Sequence, residues 1–128
     1  MTFAYWMVLV AALLPYVTVG FAKAGGIDNR APRADIERLT GWRKRADWAH
    51  RNHFEAFPAF AAAVIIAHLA GVAQGWIDLL AALFIVSRVG YTAAYLADRP
   101  TVRSLIWTGG IACVIALFIF AALAPVEA

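Results

Sequence analysis

At 128 residues, 63% hydrophobic and 15% charged, the chain is too apolar for a soluble domain, where about 45–50% and about 25% are usual. Its net charge of +3 is gathered mostly in one block with no repeated aromatic–basic pattern, which argues against a nucleic-acid partner. A single cysteine, Cys113, excludes an internal disulfide and a cysteine metal cluster.

The length allows one integral membrane domain, residues 1–128, with room for about four spans of roughly 20 residues. The first apolar segment runs from about residue 3 to 22. No basic region precedes Phe3, so it reads as a retained span rather than a cleavable signal. Pro15 is tolerated in a membrane helix but bends it. Lys23 ends the segment and can snorkel to the interface.

Residues 24–47 form the long polar connection. Gly25-Gly26 and Asp28-Asn29 read as turns. Asp35 to Leu39 predicts a short interfacial helix, ended by Thr40-Gly41. Arg30, Arg33, Arg38, Arg43, Lys44 and Arg45 outnumber Asp28, Asp35, Glu37 and Asp47, and such an excess marks the cytoplasmic side.

The second span is expected over residues 48–73 and the third over 76–97, joined by an uncharged turn at Gly71 to Gly75. The fourth is expected over 103–123, after a partly basic turn at Asp98-Arg99-Pro100, where Pro100 suits a helix start. Both basic connections then share one face, and both termini lie on the other. The expected fold class is all-α, a four-helix transmembrane bundle. A bacterial inner membrane is the expected location.

The second span opens on Trp48-Ala49-His50-Arg51-Asn52-His53-Phe54-Glu55-Ala56-Phe57-Pro58. Ionisable groups at such depth are costly unless paired or wet, and are functional suspects. Residues three and four apart share a helix face. Arg51, Asn52 and Glu55 therefore make one stripe. Arg88, Tyr91, Thr92 and Tyr95 make a second, and Arg103, Ser104 and Trp107 a third. All three fall in the cytoplasmic half. Arg88, deep in its span, needs Glu55, a bound anion, or both. A plain Arg88–Glu55 pair would be scaffolding. Three arginines against one glutamate point instead to an anionic ligand.

His50 and His53 have a spacing that can share a metal in a carboxylate-rich bundle, but only Glu55 is available. No metal site is expected, and both imidazoles read as interfacial. His68 reads the same way. Asp78 is expected to be structural, since a carboxylate favours a helix N-terminus. Tyr5, Trp6, Trp42, Trp48 and Trp76 fit an aromatic belt, while Trp107 faces the third stripe. Ser104 has no His–Asp relay beside it, so any chemistry would come from a bound cofactor.

These stretches resemble the MAPEG family, membrane-associated proteins in eicosanoid and glutathione metabolism. The resemblance rests on His50 to Pro58, on Arg88-Val89-Gly90-Tyr91-Thr92-Ala93-Ala94-Tyr95-Leu96, and on Pro100-Thr101-Val102-Arg103-Ser104. It covers about residues 44–115 and is nearest in motif to the family's prostaglandin E synthase branch. Four features depart from the pattern: Lys44 stands for a Glu, Trp48 for an Arg, Tyr91 for that branch's His, and the turn before Arg103 is one residue shorter.

The resemblance implies a homotrimer with glutathione sites between subunits near the cytoplasmic face. Arg51, Arg88 and Arg103 would meet carboxylates or the thiolate, Glu55 the ammonium, and Asn52 and Tyr95 the peptide groups. Tyr91 and Trp107 would complete the pocket. Arg103 would hold the sulfur as thiolate, with Ser104 close by. The activity implied is a glutathione-dependent transferase or peroxidase acting on a lipophilic electrophile from the bilayer. The alternative is a non-catalytic lipid-binding or scaffold protein, which the same family contains. A small four-span transporter fits less well, because the first span carries no charge.

Overall fold

The structure is a computed structural model that describes residues 1–125. All regular structure among the described residues is helical. The described residues make five helices: four long ones and, as expected, a short one in the polar connection.

Helix α1 spans Phe3–Lys23. Thr2 caps it, its hydroxyl accepting the Tyr5 N–H at 3.3 Å. A second cap comes from across the fold, where the Asp78 carboxylate accepts the Ala4 N–H at 3.0 Å. Asp78 is structural, as expected, yet it satisfies the start of α1 rather than of its own helix. Ala4, Ala11, Pro15, Thr18 and Ala22 form the buried stripe, and these small residues allow close helix approach.

Helix α2 spans Pro32–Glu37, earlier than the expected 35–39, because Pro32 sits at its first turn. Helix α3 spans Gly41–Leu69. It starts well before the apolar onset at Trp48, since apolarity sets where a span begins and not where a helix does. Its early charged turns are held by ion pairs of Lys44 with Glu37 and Asp47, both at 3.3 Å. It ends at Leu69 rather than near Ala73. Gly71 takes a φ of +76° there, and the Val72 N–H donates to the Ala67 carbonyl at 3.1 Å. That left-handed exit suits glycine.

Helix α4 spans Gln74–Leu96 and α5 spans Pro100–Leu123, with Pro100 in the first turn as expected. Three helices, α1, α4 and α5, are long and apolar enough to cross a membrane. The second expected span departs from this: α3 has the length, but its first half carries Arg43, Lys44, Arg45, Asp47 and Arg51.

Helix α3 is central, packing on α1, α4 and α5. Phe60 of α3 stacks on Phe84 of α4, ring centroids 4.0 Å apart and 8° from parallel. Val64, Ile77 and Leu117 close around them. Leu9, Leu13 and Val17 on α1, Leu79, Leu83 and Val86 on α4, and Leu105, Ile115 and Ile119 on α5 remain exposed. An apolar outer surface of this kind suits lipid, in which helices associate by close packing rather than by the hydrophobic effect. Among the described residues, no hydrogen bond joins α5 to another helix.

Candidate functional site

The charged connection fixes where the polar stripes meet. Arg43 Nε and Nη2 donate to the carbonyls of Ala22 (2.9 Å) and Gly26 (2.7 Å), closing the end of α1. Arg45 Nε and Nη2 donate to those of Tyr95 (3.1 Å) and Leu96 (3.2 Å), closing the end of α4. Cations at helix C-termini satisfy orphan carbonyls and the dipole together. With both ends tied to α3, its next turns lie level with Arg88.

Arg88 is 3% exposed. Its Nη2 donates to Asn52 Oδ1 at 2.9 Å and its Nε to His53 Nδ1 at 3.3 Å. Its guanidinium carbon lies 4.4 Å from the centroid of the Tyr91 ring. The anticipated Arg88–Glu55 pair is not formed. Asn52 stands between them, its Nδ2 donating to Glu55 Oε2 at 2.9 Å. The side-chain amide thus faces a cation with its oxygen and an anion with its nitrogen.

His53 is a second correction. It is not interfacial but 3% exposed, with Nε2 2.8 Å from Thr92 Oγ1. Thr92 Oγ1 in turn donates to the Arg88 carbonyl at 3.1 Å. His50 is half-buried, and its Nδ1 donates to the Pro15 carbonyl at 2.6 Å. The sequence signals for His53 were weak: it precedes Phe54 on no polar stripe, and only its place next to Asn52 hints that it also faces α4.

Arg103 repeats the Arg88 arrangement about a turn nearer the charged end. Its guanidinium carbon lies 4.4 Å from the Tyr95 ring centroid. Tyr91 and Tyr95 meet edge-on at 5.5 Å, so the two cation–π contacts form a ladder along α4. Arg51 is the cation that departs from expectation. It pairs with Glu37 and, at 3.2 Å, with Asp47, so carboxylates of the chain already neutralise it. The hydrogen bond from Arg51, then that from Lys44, holds the Glu37 carboxyl below the usual carboxylate range.

Three hollows share this region. A cavity of about 160 Å³ is bounded by Asn52, Glu55, Ala59, Phe84, Arg88 and Trp107, among others. An open hollow of about 410 Å³ is lined by Asn52, Tyr91, Tyr95, Arg103, Ser104, Trp107 and Thr108. Another, of about 460 Å³, is lined by Trp48, Arg51, Asn52, Glu55, Tyr91 and Tyr95. Asn52 borders all three. Every residue of the three stripes except Thr92 therefore borders one or more of these neighbouring hollows within a single chain, while Thr92 is turned to His53 and the Arg88 carbonyl. Ser104 is exposed at its edge.

The apolar helices and this polar interior define an integral membrane protein of helical class. The MAPEG family model matches residues 3–123, and the chain belongs to the MAPEG family. The match extends beyond the 44–115 stretch in which the motifs lie, reaching α1 and the end of α5. No curated protein and no solved structure matches the chain.

Proposed function

We propose that the chain is a glutathione-dependent transferase or peroxidase acting on a lipophilic electrophile that arrives through the bilayer. One observation carries this reading. Arg88 and Arg103 lie on tyrosine faces, and among the described residues neither has a carboxylate partner. The carboxylate nearest to them in the hollows is Glu55, which is bonded only to an amide. Two free cations and one free anion complement a ligand with two carboxylates and an ammonium. Members of the family commonly use glutathione, whose charges are of that kind.

Glutathione, when bound, supplies the sulfur nucleophile. Arg88 and Glu55 hold its charged ends, and Asn52 and Tyr95 offer donors and acceptors to its peptide groups. Arg103, with Ser104 beside it, favours the anionic form of the thiol, because a cationic donor lowers a thiol's pKa. Tyr91 and Trp107 wall the hollow. The apolar cavity floored by Ala59 and Phe84 receives the electrophile. Arg51, being already paired, anchors the charged connection rather than the ligand.

Likeness in motif to the prostaglandin E synthase branch supports a thiol-dependent reaction over a purely lipid-binding role. We place the site at the cytoplasmic face and the working unit as a homotrimer, with four spans and both termini on the opposite side of the membrane.

The test is ultraviolet titration of glutathione at the thiolate band with purified protein. Wild type should show the band at neutral pH. Arg103→Ala should lose it and fall about 10²–10³-fold in turnover, with only the small drop in melting temperature that loss of its contact with Tyr95 brings. Absence of a thiolate signal from wild type at saturating glutathione sinks the enzyme reading.

A further inference from the structure

We propose that His53 is a positioning residue: held as its neutral Nε2–H tautomer, it presents the Nδ1 lone pair that fixes the Arg88 guanidinium. This rests on reading Arg88 as a glutathione ligand, and it names the group that aims it.

The hydrogen bonds allow one direction only. A guanidinium has donors and no acceptor. At the Arg88 Nε contact of 3.3 Å, His53 Nδ1 must therefore accept. The ring proton then sits on Nε2, which faces Thr92 Oγ1 at 2.8 Å. The Thr92 hydroxyl spends its own proton on the Arg88 carbonyl, 3.1 Å away. Arg88, His53 and Thr92 thus close a loop in which each proton has one acceptor. A doubly protonated ring would set two N–H groups head to head at Arg88.

The loop is well placed to aim a side chain. Both His53 and Arg88 are 3% exposed, so a lost partner leaves a buried polar group unpaired, which is costly. His53 holds the Nε edge and Asn52 holds Nη2. Two anchors fix the plane of a guanidinium, whereas one leaves it free to turn. With both in place, the uncommitted Nη1 group belongs to the edge of a side chain that lines the cavity with Asn52, Glu55 and Trp107. Tyr91 meets the His53 ring at 6.5 Å and 73°, so ring packing is a separate contribution that the right variants can isolate.

Three substitutions separate these roles. His53→Phe keeps the ring and its packing and removes the acceptor. His53→Asn keeps an acceptor at the depth of Nδ1 and loses the ring and the reach to Thr92. His53→Gln restores a donor at the depth of Nε2 and leaves nothing to accept from Arg88. In full-length protein in detergent, glutathione affinity should fall about tenfold in His53→Phe and His53→Gln, the scale of one hydrogen bond to a charged group. His53→Asn should recover most of it despite melting lower than His53→Phe. If affinity instead follows melting temperature across the three, with His53→Asn the weakest binder, His53 is packing and the proposal is overturned.

Nitrogen NMR of histidine- and arginine-labelled protein gives an arm that needs no ligand. The His53 ring should show the Nε2–H tautomer. The Arg88 Nε resonance should move in His53→Phe and hold in His53→Asn. An Nδ1–H or charged ring at neutral pH overturns the proposal. Should wild type bind no glutathione, the proposed function fails by itself, and these resonances still decide the loop.

Discussion

Glu37 shows how a single side chain couples the aqueous connection to the site. It takes hydrogen bonds from both Arg51 and Lys44, and these hold its carboxyl below the ordinary range. A carboxyl lowered on folding stabilises fully above its ordinary range, and that contribution is lost as pH falls through the lowered value. Exposure and salt screen such a pair, so the effect is local. Acidification into that window should lower the hydrogen-exchange protection of α2, taken relative to the intrinsic rate at each pH, before the long helices respond. Glu37→Gln should show low protection in α2 at all pH and no such step. A wild-type profile in α2 that is flat across the carboxylate range would count against the coupling.

At this scale the sequence is informative about which polar residues cluster and less so about what each touches. Asn52, Glu55, Arg88 and Arg103 stand out because polar groups are expensive in an apolar helix. Their partners depend on how α3 is rotated against α4. Asn52 and His53 are adjacent, and a small change in rotation decides which of them Arg88 meets. The structure gives Arg88 both, and so displaces Glu55 from the pairing that charge alone suggested.

Among the elements, α4 and α5 approach closely at Gly110. A Cβ built on Gly110 would lie 2.6 Å from Ser87 Oγ, while Ser87 Cβ is 3.6 Å away and the nearest atom of Phe84 is at 3.9 Å. Ser87 Oγ is itself committed to the Phe84 carbonyl at 2.6 Å. Gly110→Ala should therefore destabilise by about 1–3 kcal/mol, the usual cost of overpacking, seen as a lower melting temperature in detergent. Adding Ser87→Ala removes the obstructing atom and should restore most of the loss. A double variant no more stable than Gly110→Ala alone would show that the obstruction lies elsewhere. Helix starts were the least legible part of the sequence. The charged turns at the front of α3 are held by Glu37 from another helix, a partner that no local pattern announces. The carbonyl targets of Arg43 and Arg45 lie as far off as Leu96, and only the folded chain brings them within reach.

Taken as a whole molecule, the chain has one charged end and an apolar girth. Arg43, Lys44, Arg45, Arg51 and Arg103 all gather at the end where α1 and α4 finish and α3 and α5 begin. An excess of cations at one end is expected to stay on the cytoplasmic side. In a Cys113→Ala background, a cysteine at the exposed Asn29 should react with an impermeant thiol reagent only after the membrane is opened. One at the exposed Ala73 should react in intact cells. The reverse pattern would invert the orientation proposed for the site.

The uneven bonding of the helices has a mechanical consequence. Sliding α3 along α4 by one turn, about 5.4 Å, would break the Arg45, Arg88 and His53 ties together, so those helices behave as one fixed jaw. That jaw carries Asn52, Glu55 and Arg88. Helix α5, which carries Arg103, Ser104 and Trp107, is fastened to it, beyond the turn at its start, by stacking and side-chain packing, with no helix-to-helix hydrogen bond among the described residues. Such contacts tolerate a swing that hydrogen bonds resist. The jaw without those ties is thus the one bearing the group proposed for the sulfur, and it walls the cavity floored by Ala59 and Phe84 through Trp107 and Ile111.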